Sequence, residues 1–540
     1  MVAAPARTCE ATAILESAIA GGNRVFKRVL IANRGEIALR VQRSCRELGI
    51  ETVAVYSEPD RNALHVRQAD HAVCIGPGPS TESYLVIEKI IEAAKQTGAE
   101  AIHPGYGFLS ENPRFVDACE AAGIAFIGPP ASAMRALGDK VSARKLMESA
   151  GVPVVPGAND ISAADFETAK READRIGFPL MVKAAAGGGG RGIRIVERPE
   201  ELENAMRASG AEAASSFGDA TIFLERYVTE ARHIEVQMMA DAHGNVRAYG
   251  ERECSVQRRH QKLVEEAPSV AVSPELRKRL CDAAVAAAKS CGYQNAGTVE
   301  FLLAKNGEFY FLEVNARLQV EHPVTELVYG VDLVKQQLEV ASGQPLPPLD
   351  RPLEPNGWAI ECRVNGENPF MNFMPSLGLV EHVEAPLGPG TRFDSMLFDG
   401  LDVPVYYDSM LGKLIVWAED RALAVQRMRR ALDDLLIAGV DTNVPFHLAL
   451  LDNEDFQAGR IHTGWLESSF IMPPLPEDDP RELTALIAAA LASGMVAASA
   501  PAAAGTPGGS HWLRAGRAGA MQGRVGAGGG RGWQRGTASS

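Results

Sequence analysis

Eight cysteines are scattered through the chain, with no C-x-x-C pair and no zinc-like spacing among them. That excludes a disulfide framework or a structural zinc as the organising element and points to a reduced, cytoplasmic setting. Basic charge is in deficit: 54 Lys and Arg stand against 68 Asp and Glu, a formal net charge of −14. The electrostatic footprint of a nucleic-acid binder is therefore missing, and any anion site must be a local cluster. The first 22 residues contain Glu10 and Glu16 and lack an uninterrupted apolar core, so they do not read as a secretory signal. A frayed extension over 1–26 is expected, with a transit peptide as the alternative. The alanine-rich stretch from Leu483 to Gly505 is broken by Ser493 and Gly494, and alanine gives little drive into lipid, so no membrane span is expected. Acidic residues are absent after Glu482, where glycine and Arg514, Arg517, Arg524, Arg531 and Arg535 dominate; a linker and disordered basic tail over 474–540 follow from that composition. Lysine is absent after Lys413.

The 540 residues suffice for three or four structural units, and 46% hydrophobic with 23% charged residues is ordinary for a globular protein. From Lys27 the pattern is regular: "RVLIAN" as a strand, "GEIALRVQRSCRELG" with Ile37, Val41, Cys45 and Leu48 at helical spacing, then "ETVAVYS" as a strand. The alternation continues to about Gly128 and predicts an open parallel sheet of the doubly wound type. A helical connector, Ala131 to Ala150, leads to a small α+β unit, and a strand-rich region runs from about Val228 to Pro473.

"KAAAGGGGRG", Lys183 to Gly192, satisfies G-x-G-x-x-G, but the apparent strands "FPLMV" and "IRIV" flank it where a dinucleotide fingerprint needs a following helix. A Walker loop fails too, because Ile193 stands where its lysine is required. Two readings stay open on these residues: a plain mobile hairpin, or a tip whose free backbone N–H groups fold over phosphate.

"TVEFLLAKNGEFYFLEVNARLQVEHP", Thr298 to Pro323, carries more. With Asn306-Gly307 as a two-residue hairpin turn, Lys305 faces Glu308 and Glu300 sits opposite Glu313. Facing carboxylates destabilise each other unless a cation lies between them, and oxygen ligands without His or Cys suit Mg²⁺. A pair of solvated glutamates on an exposed sheet face is the alternative. From Glu313 to Glu321 polar and apolar residues alternate, so in extended chain Glu313, Asn315, Arg317, Gln319 and Glu321 share one face. Upstream, Arg258, Arg259, His260 and Lys262 form either a local positive patch or a solvated charged strand.

Taken in order, "ANRGEIALR", "HPGYGFLSEN", "LGDKVSA", "VKAAAGGGGRG", "QRRHQK", "RLQVEHPVTE", "ECR" and "YYDSMLGKLI" resemble the biotin carboxylase family of the ATP-grasp superfamily, over about Lys27 to Phe470. The resemblance implies an ATP-grasp architecture, α/β and α+β: an N-terminal parallel-sheet domain (27–130), the connector (131–154), a lid (155–227) and a C-terminal mixed-sheet region (228–473). It implies a ligase that converts ATP and bicarbonate to carboxyphosphate and carboxylates biotin N1′. On the matching motif positions, ATP would meet Lys140, Lys183, the loop glycines Gly188, Gly189 and Gly190, Glu225, Arg226, Val228, His233 and His260. Two Mg²⁺ ions, with Mn²⁺ as a substitute, would meet Glu300, Glu313 and Asn315. Bicarbonate would be clamped by Lys262, Arg317, Gln319 and the Val320 backbone, with Glu321 as general base; Arg363 would stabilise the biotin enolate, with Tyr106 and Asp408 nearby. Arg226 and Ala316 depart from the usual residues, lysine at the first and threonine or proline at the second. A carbamoyl-phosphate synthetase half is disfavoured by "RLQVEHPVTE", "ECR" and "YYDSM", and a silent scaffold by the presence of Lys262, Arg317, Glu321 and Arg363. The partners implied are a biotin carboxyl carrier protein, carboxyltransferase subunits of an acetyl-CoA or other acyl-CoA carboxylase of fatty acid biosynthesis, and a second copy in a homodimer. The chain is expected not to be biotinylated itself.

Overall fold

The computed structural model describes residues 25–184, 193–217, 221–349, 352–474 and Thr484. The expectations for the N-terminal extension, for Gly188, Gly189 and Gly190, and for the linker and basic tail lie outside the described residues, as does the Lys140 side chain.

The N-terminal sheet is wholly parallel. Its strands β1 (Arg28–Ile31), β2 (Glu51–Ser57), β3 (His71–Gly76), β4 (Ala101–His103) and β5 (Ala125–Phe126) lie in the order β3-β2-β1-β4-β5. Buried on both faces, β1 reads as a continuous apolar run, Val29, Leu30 and Ile31, each with no exposed surface. Helix α1 (Gly35–Glu47) follows β1 and buries Ile37, Ala38, Val41 and Cys45, the stripe its 3.6-residue period dictates. Helices α2 (Ala131–Gly138) and α3 (Lys140–Ser149) are separated by Asp139, whose side chain caps α3 by accepting from Ser142 N at 2.8 Å.

A small antiparallel sheet follows, with β6 (Gly157–Ser162), β7 (Leu180–Ala184), β8 (Ile193–Val196) and β9 (Thr221–Arg226) in the order β6-β9-β7-β8. Strands β7 and β8 flank the glycine-rich segment, which disposes of the dinucleotide reading on structural grounds.

The large sheet comprises β10 (Arg232–Ala240), β11 (Val246–Arg258), β12 (Gln261–Ala267), β13 (Asn295–Leu303), β14 (Phe309–Asn315), β15 (Trp358–Asn365), β16 (Thr391–Ser395) and β17 (Met410–Ala418). Their order is β14-β13-β10-β11-β12-β15-β17-β16, antiparallel throughout. One face is covered by α4 (Pro274–Ser290), whose Leu280, Ala284 and Ala288 share a core with Ile234 and Val236.

Two sequence expectations fail in this sheet. The β13–β14 connection is not a two-residue turn: Ala304 N donates to Glu308 O at 2.8 Å and Gly307 N to Ala304 O at 3.0 Å, so three residues span it, and Gly307 takes φ +82°. Lys305 therefore does not face Glu308. The extra residue would slip the register by one, but a bulge at Leu312 slips it back, from Phe301↔Phe311 to Glu300↔Glu313. Glu300 and Glu313 thus face each other for a different reason from the one expected. The second failure is the extended run to Glu321. Strand β14 ends at Asn315, the backbone N–H of Ala316 and the Arg317 guanidinium are held by Glu111, and helix α5 (His322–Tyr329) begins directly after Glu321. Pro323, pre-set for a first helical turn, favours that start.

Candidate active site

Adjacent strands bring carboxylates into a row. Glu235 on β10 is opposite Glu300 on β13, which is opposite Glu313 on β14; on its other side Glu235 is opposite Arg252 on β11. Glu235 and Arg252 are fully buried and Glu300 nearly so, while Glu313 is exposed. Like charges in such a row need cations, and Lys262 from β12 supplies one. Its ammonium lies 2.6 Å from Glu235, 2.9 Å from Glu300 and 2.6 Å from Glu321. Arg252 adds bonds to Gln237 (2.8 Å) and Thr325 (2.9 Å). Arg363 on β15 donates from Nε to Glu265 at 2.7 Å and from Nη2 to Glu321 at 3.0 Å. His233 Nε2 lies 3.0 Å from Glu300, and its Nδ1 lies 2.7 Å from Gln257.

The cations decide which carboxylates stay charged. Burial by itself would raise the Glu321 carboxyl, but Lys262, Arg363 and Arg252 outweigh it and hold the group well below the usual carboxylate range. Glu300 is likewise held low, burial being overcome by Lys262 and His233. Glu265 has Arg363 as its main partner, and burial wins there, pushing the carboxyl up to about 7. Lys262 stays protonated, since Glu235, Glu321 and Glu300 more than offset its desolvation.

After β14 the chain curls so that polar groups converge without sharing a strand face. Arg317 reaches Asn315 Oδ1 at 3.2 Å, Gln319 Oε1 at 3.0 Å and Glu111 at 3.0 Å. Gln319 in turn points at Glu300, 3.5 Å away. Beside this cluster a cleft of about 490 Å³ is lined by Tyr106, Arg317, Val320, Arg363 and Asp408, which joins every residue the resemblance places at biotin to two of the bicarbonate set.

The nucleotide set is dispersed by comparison. Lys183 and Glu225 form an ion pair across β7 and β9, with Arg144 at 3.5 Å from the same carboxylate. Arg226 is exposed, its backbone N–H bonded to Pro156 O at 2.9 Å, and Val228 follows the end of β9. His260 does not join the charged cluster: with Arg259 it forms the tight β11–β12 turn, both at positive φ, and its side chain is exposed. Nor do the basic residues there make one patch. Arg258 packs on Phe373, 4.4 Å from its ring centre, while Lys262 turns inward. Sequence reading missed Glu235, Arg252 and Glu265. The alternation His233, Glu235, Gln237 against Ile234, Val236, Met238 was the available signal for the first of them.

Three family descriptions match the chain in order: biotin carboxylase N-terminal domain over residues 25–134, carbamoyl-phosphate synthase L chain ATP binding domain over 139–349, and biotin carboxylase C-terminal domain over 361–468. Together with the parallel N-terminal sheet and the antiparallel sheets that follow, they define an ATP-grasp enzyme, an ATP-dependent carboxylase of the ligase class. The chain is 51% identical to biotin carboxylase 1 of Bacillus subtilis over 449 residues, 83% of this chain and all of that one. It is 54% identical to a pyruvate carboxylase subunit of Methanothermobacter thermautotrophicus over 443 residues, 82% of this chain and 90% of that one. Among solved structures, the biotin carboxylase domain dimer of Hydrogenobacter thermophilus 2-oxoglutarate carboxylase, in complex with ADP, its magnesium salt and bicarbonate, is similar at a TM-score of 0.74 and 48% identity, over 82% of this chain and 97% of that one. The chain belongs to the biotin carboxylase family. Among the described residues no helix is long and apolar enough to cross a membrane.

Proposed function

We propose that the chain uses ATP and bicarbonate to carboxylate N1′ of biotin carried on a separate protein, the first half-reaction of an acetyl-CoA or other acyl-CoA carboxylase. The observation that carries this reading is Glu321, fully buried yet held ionised by Lys262 and by Arg363, which lines the 490 Å³ cleft together with the adjoining Val320. A carboxylate held so low is a weak base while no further anion draws on its cations. An incoming bicarbonate or phosphate shares Lys262 and Arg363, and the Glu321 proton affinity rises as that hold weakens. Glu321 then takes the bicarbonate proton, Arg317, Gln319 and the Val320 N–H fix the anion, and the bicarbonate oxygen attacks the ATP γ-phosphorus to form carboxyphosphate with loss of ADP. Arg363 faces the cleft, where a guanidinium offsets the charge that develops on the ureido oxygen when biotin N1′ loses its proton.

Glu300, Glu313 and Asn315 offer hard oxygen donors side by side, the chemistry that Mg²⁺, or Mn²⁺ in its place, accepts. Two such ions would neutralise and orient the ATP phosphates. Lys183 and Glu225 support a nucleotide role through their shared strand pair, with Lys140, Arg226, Val228, His233 and the loop glycines completing it on family position. His260 is the weakest member, given its exposed turn. In support of ATP, Mg²⁺, bicarbonate and a homodimer stands the similar 2-oxoglutarate carboxylase domain, a dimer in complex with the magnesium salt of ADP and bicarbonate. The cysteine usage supports a cytoplasmic setting. A second reading of the final acceptor, a 2-oxo acid in place of an acyl-CoA, is favoured by the similarity to a component of a pyruvate carboxylase. The carboxyltransferase recovered with the protein separates the two.

The decisive assay is bicarbonate-dependent ATP hydrolysis with and without free biotin. Stimulation by biotin is expected, and folded protein that shows none ends this reading.

A further inference from the structure

Lys413 is the last lysine of the chain and one of its largest fully buried side chains. It sits on β17, where its neighbour across the ladder on one side is Arg363 and on the other Asp394. A buried ammonium is costly unless hydrogen-bonded and paired, so its partners show what it is kept for. Its Nζ donates to the Val320 carbonyl at 2.8 Å and lies 3.1 Å from Glu36 Oε1. The same carboxylate oxygen accepts the Tyr106 hydroxyl, and Nζ lies 5.8 Å from the centre of the Tyr106 ring. One ammonium therefore touches both walls of the cleft: Tyr106 and Glu36 from the N-terminal parallel-sheet region, and Val320 from the turn that delivers Glu321.

We propose that Lys413 is a positioning residue that couples the biotin side of the cleft to the bicarbonate side, by holding the Val320 peptide and the Glu36–Tyr106 pair on one charge. The Val320 carbonyl belongs to the peptide unit carrying the Glu321 N–H, so fixing it orients the base. The remaining oxygen of Glu36, Oε2, is buried without a hydrogen-bond partner, and Glu36 lines the cleft, so its orientation depends on Tyr106 and Lys413. Burial drives the Glu36 carboxyl upward, and Lys413 is the largest influence opposing it. Without the ammonium the upward drive of burial loses its main counterweight and the carboxylate loses one of the two contacts that orient it toward Tyr106. Asp394 and Glu361 also feel the Lys413 charge, which explains why a lysine and not a neutral donor occupies the position.

This inference rests on the proposed carboxylation, and the test uses the full chain in ATP hydrolysis with bicarbonate, with and without free biotin. Lys413→Met keeps the length of the side chain and removes the charge. A displaced positioning contact costs up to about 100-fold, so Lys413→Met is expected to raise the KM for biotin about tenfold or more and the KM for bicarbonate less, with the KM for ATP within about twofold of wild type. Lys413→Arg, which keeps the charge, is expected to recover part of the biotin stimulation. Unchanged biotin and bicarbonate KM values in folded Lys413→Met overturn the proposal. So does an equal rise in all three KM values, which marks general structural damage. If Lys413→Met does not fold, Glu36→Gln decides: it keeps a hydrogen-bond acceptor for Tyr106 but breaks the ion pair, and an unchanged biotin KM there overturns the coupling. Wild-type protein that ignores biotin defeats the functional reading instead. The Lys413 contact to Val320 is then judged on the bicarbonate KM alone, which must rise in Lys413→Met.

Discussion

Glu300 lies directly opposite Glu313 across the β13–β14 ladder, the first buried against Lys262 and His233 and the second exposed. A buried and a solvent-facing carboxylate on one pair of positions suit a cation that enters from solvent with its nucleotide. Glu300→Gln or Glu313→Gln removes one anionic oxygen donor and is expected to raise the Mg²⁺ concentration for half-maximal ATP cleavage about tenfold. Mg²⁺ titration at fixed ATP measures this, and unaltered metal dependence in both variants would remove the metal role from this pair.

Glu321→Gln preserves shape and leaves Lys262 with two carboxylate partners, Glu235 and Glu300. The loss is therefore chemical. Biotin-stimulated ATP cleavage is expected to fall by about 100-fold or more, the usual worth of a positioned general base, while ATP affinity stays within about twofold. Equilibrium nucleotide binding beside steady-state rates checks the split; equal loss of both contradicts the assignment.

Three buried histidines, His65, His103 and His447, have their pKa pushed down to about 4 by burial. In the unfolded chain each takes up a proton near its ordinary value, whereas the folded chain resists until about 4. The unfolded state thus binds more protons in that window, and stability falls as pH drops from about 6.5 to about 4, by on the order of 3 kcal/mol per histidine at the lower end. His103 accepts from Gly105 N at 3.0 Å through Nδ1 and pairs with Gln337 through Nε2 at 3.2 Å, a neutral tautomer that glutamine can imitate. Urea unfolding of His103→Gln across that range is expected to show a slope against pH shallower by about one proton. An identical slope would clear His103 of the effect.

Gly105 has φ +63°, and a Cβ there would stand 2.9 Å from the Asn33 amide nitrogen. That nitrogen donates to the Pro104 and Tyr106 carbonyls, both at 2.8 Å, and so holds the Tyr106 loop. Gly105→Ala combines left-handed strain with displacement of Asn33, and is expected to cost on the order of 2 kcal/mol and to raise the KM for biotin more than that for ATP. Thermal unfolding and paired KM measurements test both parts; a variant as stable as wild type counts against the steric argument.

How much of the site the linear order reveals varies from residue to residue. The Glu300–Glu313 pairing is legible but for a mistaken reason: a two-residue turn and a regular ladder lead to the same register as a three-residue loop with a bulge at Leu312. Turn length depends on whether Gly307 closes the loop at positive φ, and a bulge depends on the twist of a whole sheet, neither of which a short window contains. The alternation from Glu313 to Glu321 suggests one extended face because periodicity reports side-chain direction only while the chain stays extended; Glu111, far away in sequence, ends that extension at Ala316.

Local pattern was enough for the parallel N-terminal sheet, the two strands around the glycine segment and the presence of Lys262, Arg317, Glu321 and Arg363 in recognisable motifs, because each rests on spacing within a few residues. The tertiary structure alone decided which charges meet. Glu235, Arg252 and Glu265 enter the cluster through ladder pairing between strands, and Lys413 reaches Glu36 and Val320 from positions 377 and 93 residues away in the chain. In a buried cluster the charge state of each group is set by its neighbours in space, through desolvation and Coulomb attraction over a few ångströms.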